Sequence, residues 1–147
     1  MTEPAPLEPA REQWIREHFA RVAFNLHLGM EITVLGPGIC ETRLPWRPEW
    51  GQQHDFFHGG VLGAMADTTA GHAALSLIDL GRSAITVEYK INFVAPATGA
   101  WLVCRARVAK SGRTLSVMHA DVFAEQGGQE SLAATAIVTY LNLAPGK

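Results

Sequence analysis

The sequence predicts an α+β domain built from one mostly antiparallel sheet, one long buried helix and an extra amphipathic helix at the N-terminus. Three observations carry this. Apolar residues recur at helical spacing near the start of the chain. A stretch from Gly59 to about Leu80 is apolar or small nearly all round. From Ala84 onward the chain reads as strand-length apolar segments separated by turn residues. Helical and strand segments are segregated along the chain, which is the α+β pattern.

Each element has its own signal. Met1 to Pro9 is acidic and carries three prolines, so it is expected to be a loose tail. Trp14, Ile15, Phe19 and Val22 form one stripe of a helix running from about Glu8 to Phe24, with Arg11, Glu12, Arg16, Glu17 and Arg21 on the other faces. Met30 to Leu35 and Ile39 to Leu44 flank Gly36-Pro37-Gly38 and read as a hairpin. Pro45 to Phe57 is a long loop rich in Trp, Phe, Pro and Gly, and loops of that length often carry function. The apolar helix follows, with Asp67 and His72 as its only ionisable groups before Asp79. Ala84 to Val94 then alternates, placing Ile85, Val87, Tyr89, Ile91 and Phe93 opposite Thr86, Glu88, Lys90 and Asn92. Trp101 to Ala109, Leu115 to Ala124 and Ser131 to Leu143 complete the strands. No internal repeat breaks the chain of 147 residues, so residues 10–143 are expected to form one domain and 144–147 a short tail.

Composition narrows the function. A net charge of −2 offers no basic excess to hold a phosphate backbone, so nucleic acid is not an expected partner. No apolar run approaches the roughly 18 to 20 residues of a membrane span, and the N-terminus lacks the basic and apolar regions of a signal peptide. The expected location is therefore the cytoplasm, with no membrane partner. Cys40 and Cys104 sit in apolar strand segments and are expected to be buried, reduced thiols rather than a disulfide framework. His54 and His58 are four apart but lie in a loop with no Glu or Cys to complete a set, so no metal and no cofactor is expected. Gly-x-Ser-x-Gly, phosphate-loop and dinucleotide-binding motifs are all missing. His72 reads as a hydrogen-bonded core histidine.

Two features remain that can do chemistry. Asp67 is a carboxylate in a mostly apolar helix, a costly placement unless it is paired or reaches a cavity; the plainer alternative is a carboxylate bonded to neighbouring backbone or to hydroxyls such as that of Thr68. His58-Gly59-Gly60 sits where the helix begins. The first amides of a helix lack internal partners, and glycines let a ligand oxygen approach them, which is the geometry of an oxyanion hole. The plainer alternative there is a flexible junction. Gly59 and Asp67 are eight residues apart, roughly 12 Å along a helix axis, whereas reacting groups must lie within about 3 Å of their target. If both act on one carbonyl, they come from two chains related by a two-fold axis.

These residues carry a family resemblance. His58-Gly59-Gly60, Asp67, Gly71, then Asn92-Phe93 with Pro96, and Arg113-Thr114 after a turn, resemble the hotdog-fold thioesterases of the phenylacetate-pathway (PaaI) type, within the 4-hydroxybenzoyl-CoA thioesterase superfamily. The resemblance spans roughly Leu28 to Leu143. It implies a hotdog fold, in which the sheet wraps the long helix, and an acyl-CoA thioesterase; the medium-chain or aromatic acyl group is read from the loop aromatics Trp46, Trp50, Phe56 and Phe57. By position, Gly59 resembles the residue whose amide polarises the carbonyl, and Asp67 the nucleophile or general base given by the partner subunit. Gln52 falls near the reacting carbonyl or water, His58 orders the helix start, and Thr86 helps place water. Gly60, Asn92, Phe93, Lys90, Arg113 and Thr114 are the expected substrate-binding positions, with Lys90, Lys110 and Arg113 as candidates for the CoA phosphates. Gly71 departs from the pattern, because some relatives carry Thr there. Trp46, Trp50, Phe56 and Phe57 are expected either to line the acyl pocket or to pack an interface. The expected assembly is a homodimer that pairs into a dimer of dimers. Two alternatives are a non-catalytic acyl-CoA-binding module, which would not need Asp67, and a hydratase or dehydratase of acyl thioesters, which usually needs a differently placed Asp–His pair.

Overall fold

A computed structural model describes residues 5–144 of the chain. The elements in order are α1 (Pro9–Arg21), α2 (Ala23–Leu28), β1 (Glu31–Gly36), β2 (Ile39–Pro45), a short 3-10 turn (Pro48–Trp50), α3 (Gly59–Leu75), β3 (Ala84–Phe93), β4 (Trp101–Ser111), β5 (Leu115–Gln126) and β6 (Gln129–Asn142). The six strands form one antiparallel sheet in the order β1-β2-β4-β5-β6-β3. The fold class is α+β, as the segregated pattern predicts.

The sheet curls around α3, which packs against β2, β3, β4, β5 and β6. The small residues of α3 explain the close fit. Ala66, Ala70, Ala73 and Ala74 are fully buried with Leu62 and Met65, against Leu102, Met118, Val122 and Val138 of the sheet. Thr69 and Thr42, both fully buried, satisfy each other through hydroxyls 2.6 Å apart. Cys40 and Cys104 are buried free thiols in the same layer, and burial pushes both well above the ordinary thiol range. No helix among the described residues is long and apolar enough to cross a membrane.

Four expectations are corrected. The N-terminal helix is two helices, because Val22 takes an extended backbone (φ −84°, ψ 100°) and breaks the run. Order begins before residue 10: Leu7 is buried and the Glu8 side chain accepts from Ala10 N–H as the cap of α1. Residues 1–4 and 145–147 of the two expected tails lie outside the described residues. The central helix stops at Leu75 rather than near Leu80, where the Ser76 hydroxyl donates back to the Ala73 carbonyl at 2.6 Å and accepts from Gly38 N–H at 2.7 Å.

The fourth correction concerns β3. Its alternation is interrupted by a bulge between Thr86 and Glu88. Thr86 lies opposite Tyr140 and Tyr89 opposite Val138, both partners buried, so Thr86 shares the inner face with Tyr89, Ile91 and Phe93. A strict period of two would have put Thr86 outside with Glu88, Lys90 and Asn92. β3 is also a sheet edge, and Ile85, Val87, Tyr89 and Phe93 are each about half exposed.

Candidate active site

The start of α3 is built as the sequence suggests. His58 caps the helix: its Nδ1 accepts from Gly60 N–H at 2.9 Å. His58 N–H in turn donates to the Trp50 carbonyl at 2.8 Å, which ties the cap to the 3-10 turn. That bond leaves the Gly59 N–H as the unpartnered amide, with no hydrogen bond among the described residues. A Cβ at 59 would stand 3.1 Å from Phe93 Cζ, so a side chain there would require the Phe93 ring to shift by a few tenths of an ångström.

A cavity of about 430 Å³ opens over this amide. Gln52, Phe56, Phe57, His58, Gly59, Leu62 and Phe93 are on its wall. Gln52 is held by the loop itself: its N–H donates to the Phe56 carbonyl at 2.8 Å and its Oε1 accepts from His54 N–H at 3.2 Å. The aromatic residues of the loop divide by role. Trp50 and Phe57 are buried in the core, Trp46 stacks edge-on against Phe57 at 4.8 Å, and Phe56 faces the cavity. Gly60 lies outside this cavity and faces a second hollow beside Trp50, Val61 and Phe24.

Asp67 stands two turns further along α3 and is not on the cavity wall. Its Oδ1 accepts from the Thr86 hydroxyl at 2.7 Å. The Tyr140 hydroxyl lies 3.1 Å from the same oxygen and 2.5 Å from the Asp67 carbonyl. Asp67 is thus bonded to hydroxyls across the sheet rather than to Thr68, whose hydroxyl instead donates to Asn25 Oδ1 at 3.5 Å. Thr86 was expected to help place water, not to bond Asp67 directly, and Tyr140 was not expected at all. It lies 73 residues from Asp67, on a strand that otherwise reads as apolar core.

The remaining candidates are placed apart from both groups. Lys90 lies opposite Ile137 and Asn92 opposite Thr135, on the outer face of the sheet. Arg113 and Thr114 are exposed at the β4–β5 turn. That turn lies at the Thr86 end of the sheet, where Leu115, Leu141 and Ile85 align across three strands. His72 is a buried core histidine, as expected. Its Nδ1 lies 2.7 Å from the Thr68 carbonyl and its Nε2 3.4 Å from Nδ1 of His18, and burial lowers its pKa from 6.5 to about 4. No group of three or more His, Cys, Asp or Glu among the described residues is placed to hold a metal ion.

A six-stranded antiparallel sheet wrapped around one long helix is the hotdog fold. The chain belongs to the thioesterase superfamily, whose family model matches residues 54–131. It is similar to a thioesterase family protein from Silicibacter pomeroyi, with 38% identity, 90% of this chain and 98% of that one covered, and a TM-score of 0.88. The fold also matches a thioesterase from Haemophilus influenzae at 22% identity, covering 100% of this chain and 98% of that one, with a TM-score of 0.82. The PaaI protein from the E. coli phenylacetic acid degradation operon has the same fold, at 20% identity, 95% and 98% coverage and a TM-score of 0.85.

Proposed function

We propose that the chain hydrolyses acyl-CoA to a free acid and CoA, at two sites each shared between the subunits of a homodimer. The observation that carries this reading is a pair of coincident midpoints. Gly63 lies midway between Gly59 and Asp67 on α3. On β3, Phe93 sits beside Gly59 and Thr86 beside Asp67, so the middle of that strand lies at Tyr89 and Lys90. These two centres touch: a Cβ built on Gly63 would be 3.2 Å from the Tyr89 hydroxyl. One two-fold axis near that contact would pair β3 with its copy. It would also set Asp67 and Thr86 of each subunit against the Gly59 cavity of the other.

In that arrangement the Gly59 N–H, at the positive end of α3, stabilises the oxyanion that forms on the thioester carbonyl. Gln52 holds the carbonyl or the water from the cavity wall. Asp67 of the opposite subunit either attacks the carbonyl carbon, expelling the CoA thiolate and leaving an anhydride that water cleaves, or takes a proton from a water that attacks. Thr86 donates to Oδ1 in both routes. The aromatic lining of Phe56, Phe57 and Phe93 suits a medium-chain or aromatic acyl group. Arg113, at the Asp67 end of the sheet, is the best placed of the basic candidates for the CoA phosphates.

Thiol release across short, medium, long and aromatic acyl-CoAs tests this reading. Asp67→Asn is expected to lower kcat/KM by about 10³ or more, with the dimer intact. Full turnover in the variant, or acyl-CoA binding without turnover in the wild type, would reject it.

A further inference from the structure

We infer that Tyr140 is a positioning residue that anchors Asp67 through its main chain and Oδ1, which leaves Oδ2 as the oxygen that acts. The inference rests on the hydrolase reading of Asp67 and adds to it. Tyr140 is 2% exposed, so its hydroxyl is aimed at Asp67 from a fixed ring. That hydroxyl lies 2.5 Å from the Asp67 carbonyl oxygen and 3.1 Å from Oδ1. Thr86 adds a second donor to Oδ1 at 2.7 Å. Oδ2 accepts no hydrogen bond among the described residues. The two oxygens of one carboxylate are therefore unequal: Oδ1 takes the Thr86 proton and a share of the single Tyr140 proton, whose shorter contact is to the main-chain carbonyl, while the other is free for a substrate or a water.

Gly71 leaves room beside the phenol. A Cβ there would stand 3.4 Å from both Cε1 and the hydroxyl of Tyr140, at the near edge of ordinary contact. Even a Cβ there would come into contact with the phenol, so position 71 packs directly beside Tyr140. The phenol also keeps its proton. Burial, and next to it the Asp67 carboxylate, raises its pKa far above the ordinary tyrosine value, so it stays a donor at any working pH. A group held at two points by rigid neighbours loses less freedom in the transition state, so Tyr140 should act on kcat rather than on KM.

The test is Tyr140→Phe, which keeps the ring and deletes the donor. The expected result is a kcat lowered about tenfold with KM within about twofold, and an acid limb of the pH–rate profile displaced upward by about one pH unit. The direction follows because the ionised carboxylate has lost a donor, so it takes up a proton at higher pH. A ¹³C-carboxyl titration of Asp67 reads the same displacement without substrate, which separates failure of this inference from failure of the hydrolase reading. 3-Fluorotyrosine at 140, a stronger donor of nearly the same outline, is expected to move the limb the other way and serves if the Phe variant does not fold. A folded dimer of either variant with an unmoved acid limb and unchanged kcat would overturn the inference.

Discussion

The two flanks of α3 are finished very differently. On the side of β1 the structure is closed. α1 lies along that flank, with Arg16 Nη1 3.4 Å from the Ile32 carbonyl of the edge strand, Arg11 on the Ile78 carbonyl, and Phe19 edge-on to His72 at 5.0 Å. The β1 edge is also blunted by charge, with Glu31 paired to Arg43 at 2.8 Å and Thr33 bonded to Glu41 at 2.7 Å. On the side of β3 nothing among the described residues covers the sheet. Its edge strand presents Ile85, Val87, Tyr89 and Phe93, and Asp67, Thr86 and Gly59 all lie along it. One edge is made to stay alone and the other to be covered. The proposed chemistry sits on the second, which is why a shared site is proposed rather than one within a single chain.

Breaking the open flank should have the largest effect. Tyr89→Asp would set two like charges together at the proposed axis, so the dimer should dissociate and kcat/KM fall by about 10² or more. Sedimentation and the thiol assay on the same sample check this; an active monomer would contradict it. On the closed flank the sensitive point is His72. Its folded pKa of about 4 is below the ordinary 6.5. As pH falls below 6.5 the unfolded chain takes up a proton that the folded chain refuses, so stability declines until about pH 4 and levels off below it. The loss is on the order of 3 kcal/mol, read by denaturant unfolding across that range, and His72→Gln should flatten the curve.

Smaller effects sharpen the contrast. Thr86→Ala removes one donor from Asp67 and should lower kcat about tenfold while the dimer persists. Glu31→Ala on the blunted edge removes only an exposed ion pair. It should change stability by less than about 0.5 kcal/mol and leave assembly and activity as they were. A Glu31→Ala variant that dissociates or loses activity would remove the distinction between the two edges.

The order of elements was legible because each carries a local periodicity, and the α+β class follows from it. Where local pattern and tertiary structure diverge, the sequence misleads. Val87 has nothing to mark it as a bulge, yet the bulge turns Thr86 inward to meet Asp67. Val22 fits the apolar stripe of one helix, yet the chain turns there, and it is left 36% exposed. The Gly59 amide and the Asp67 carboxylate were both readable, and so was their separation, because a helix is a ruler. Tyr140 was not readable. Its contact with Asp67 exists only once β6 lies beside α3.

Subunit complementation tests the shared site most directly. Asp67→Ala and Gln52→Ala homodimers should each be nearly inactive. In the mixed dimer, one site unites the intact Gln52 of the first variant with the intact Asp67 of the second, while the other site carries both lesions. Equal mixing of subunits should therefore restore about a quarter of wild-type activity. No recovery in samples that contain the mixed dimer would show that Asp67 works with the Gln52 of its own chain, and the shared site would be wrong.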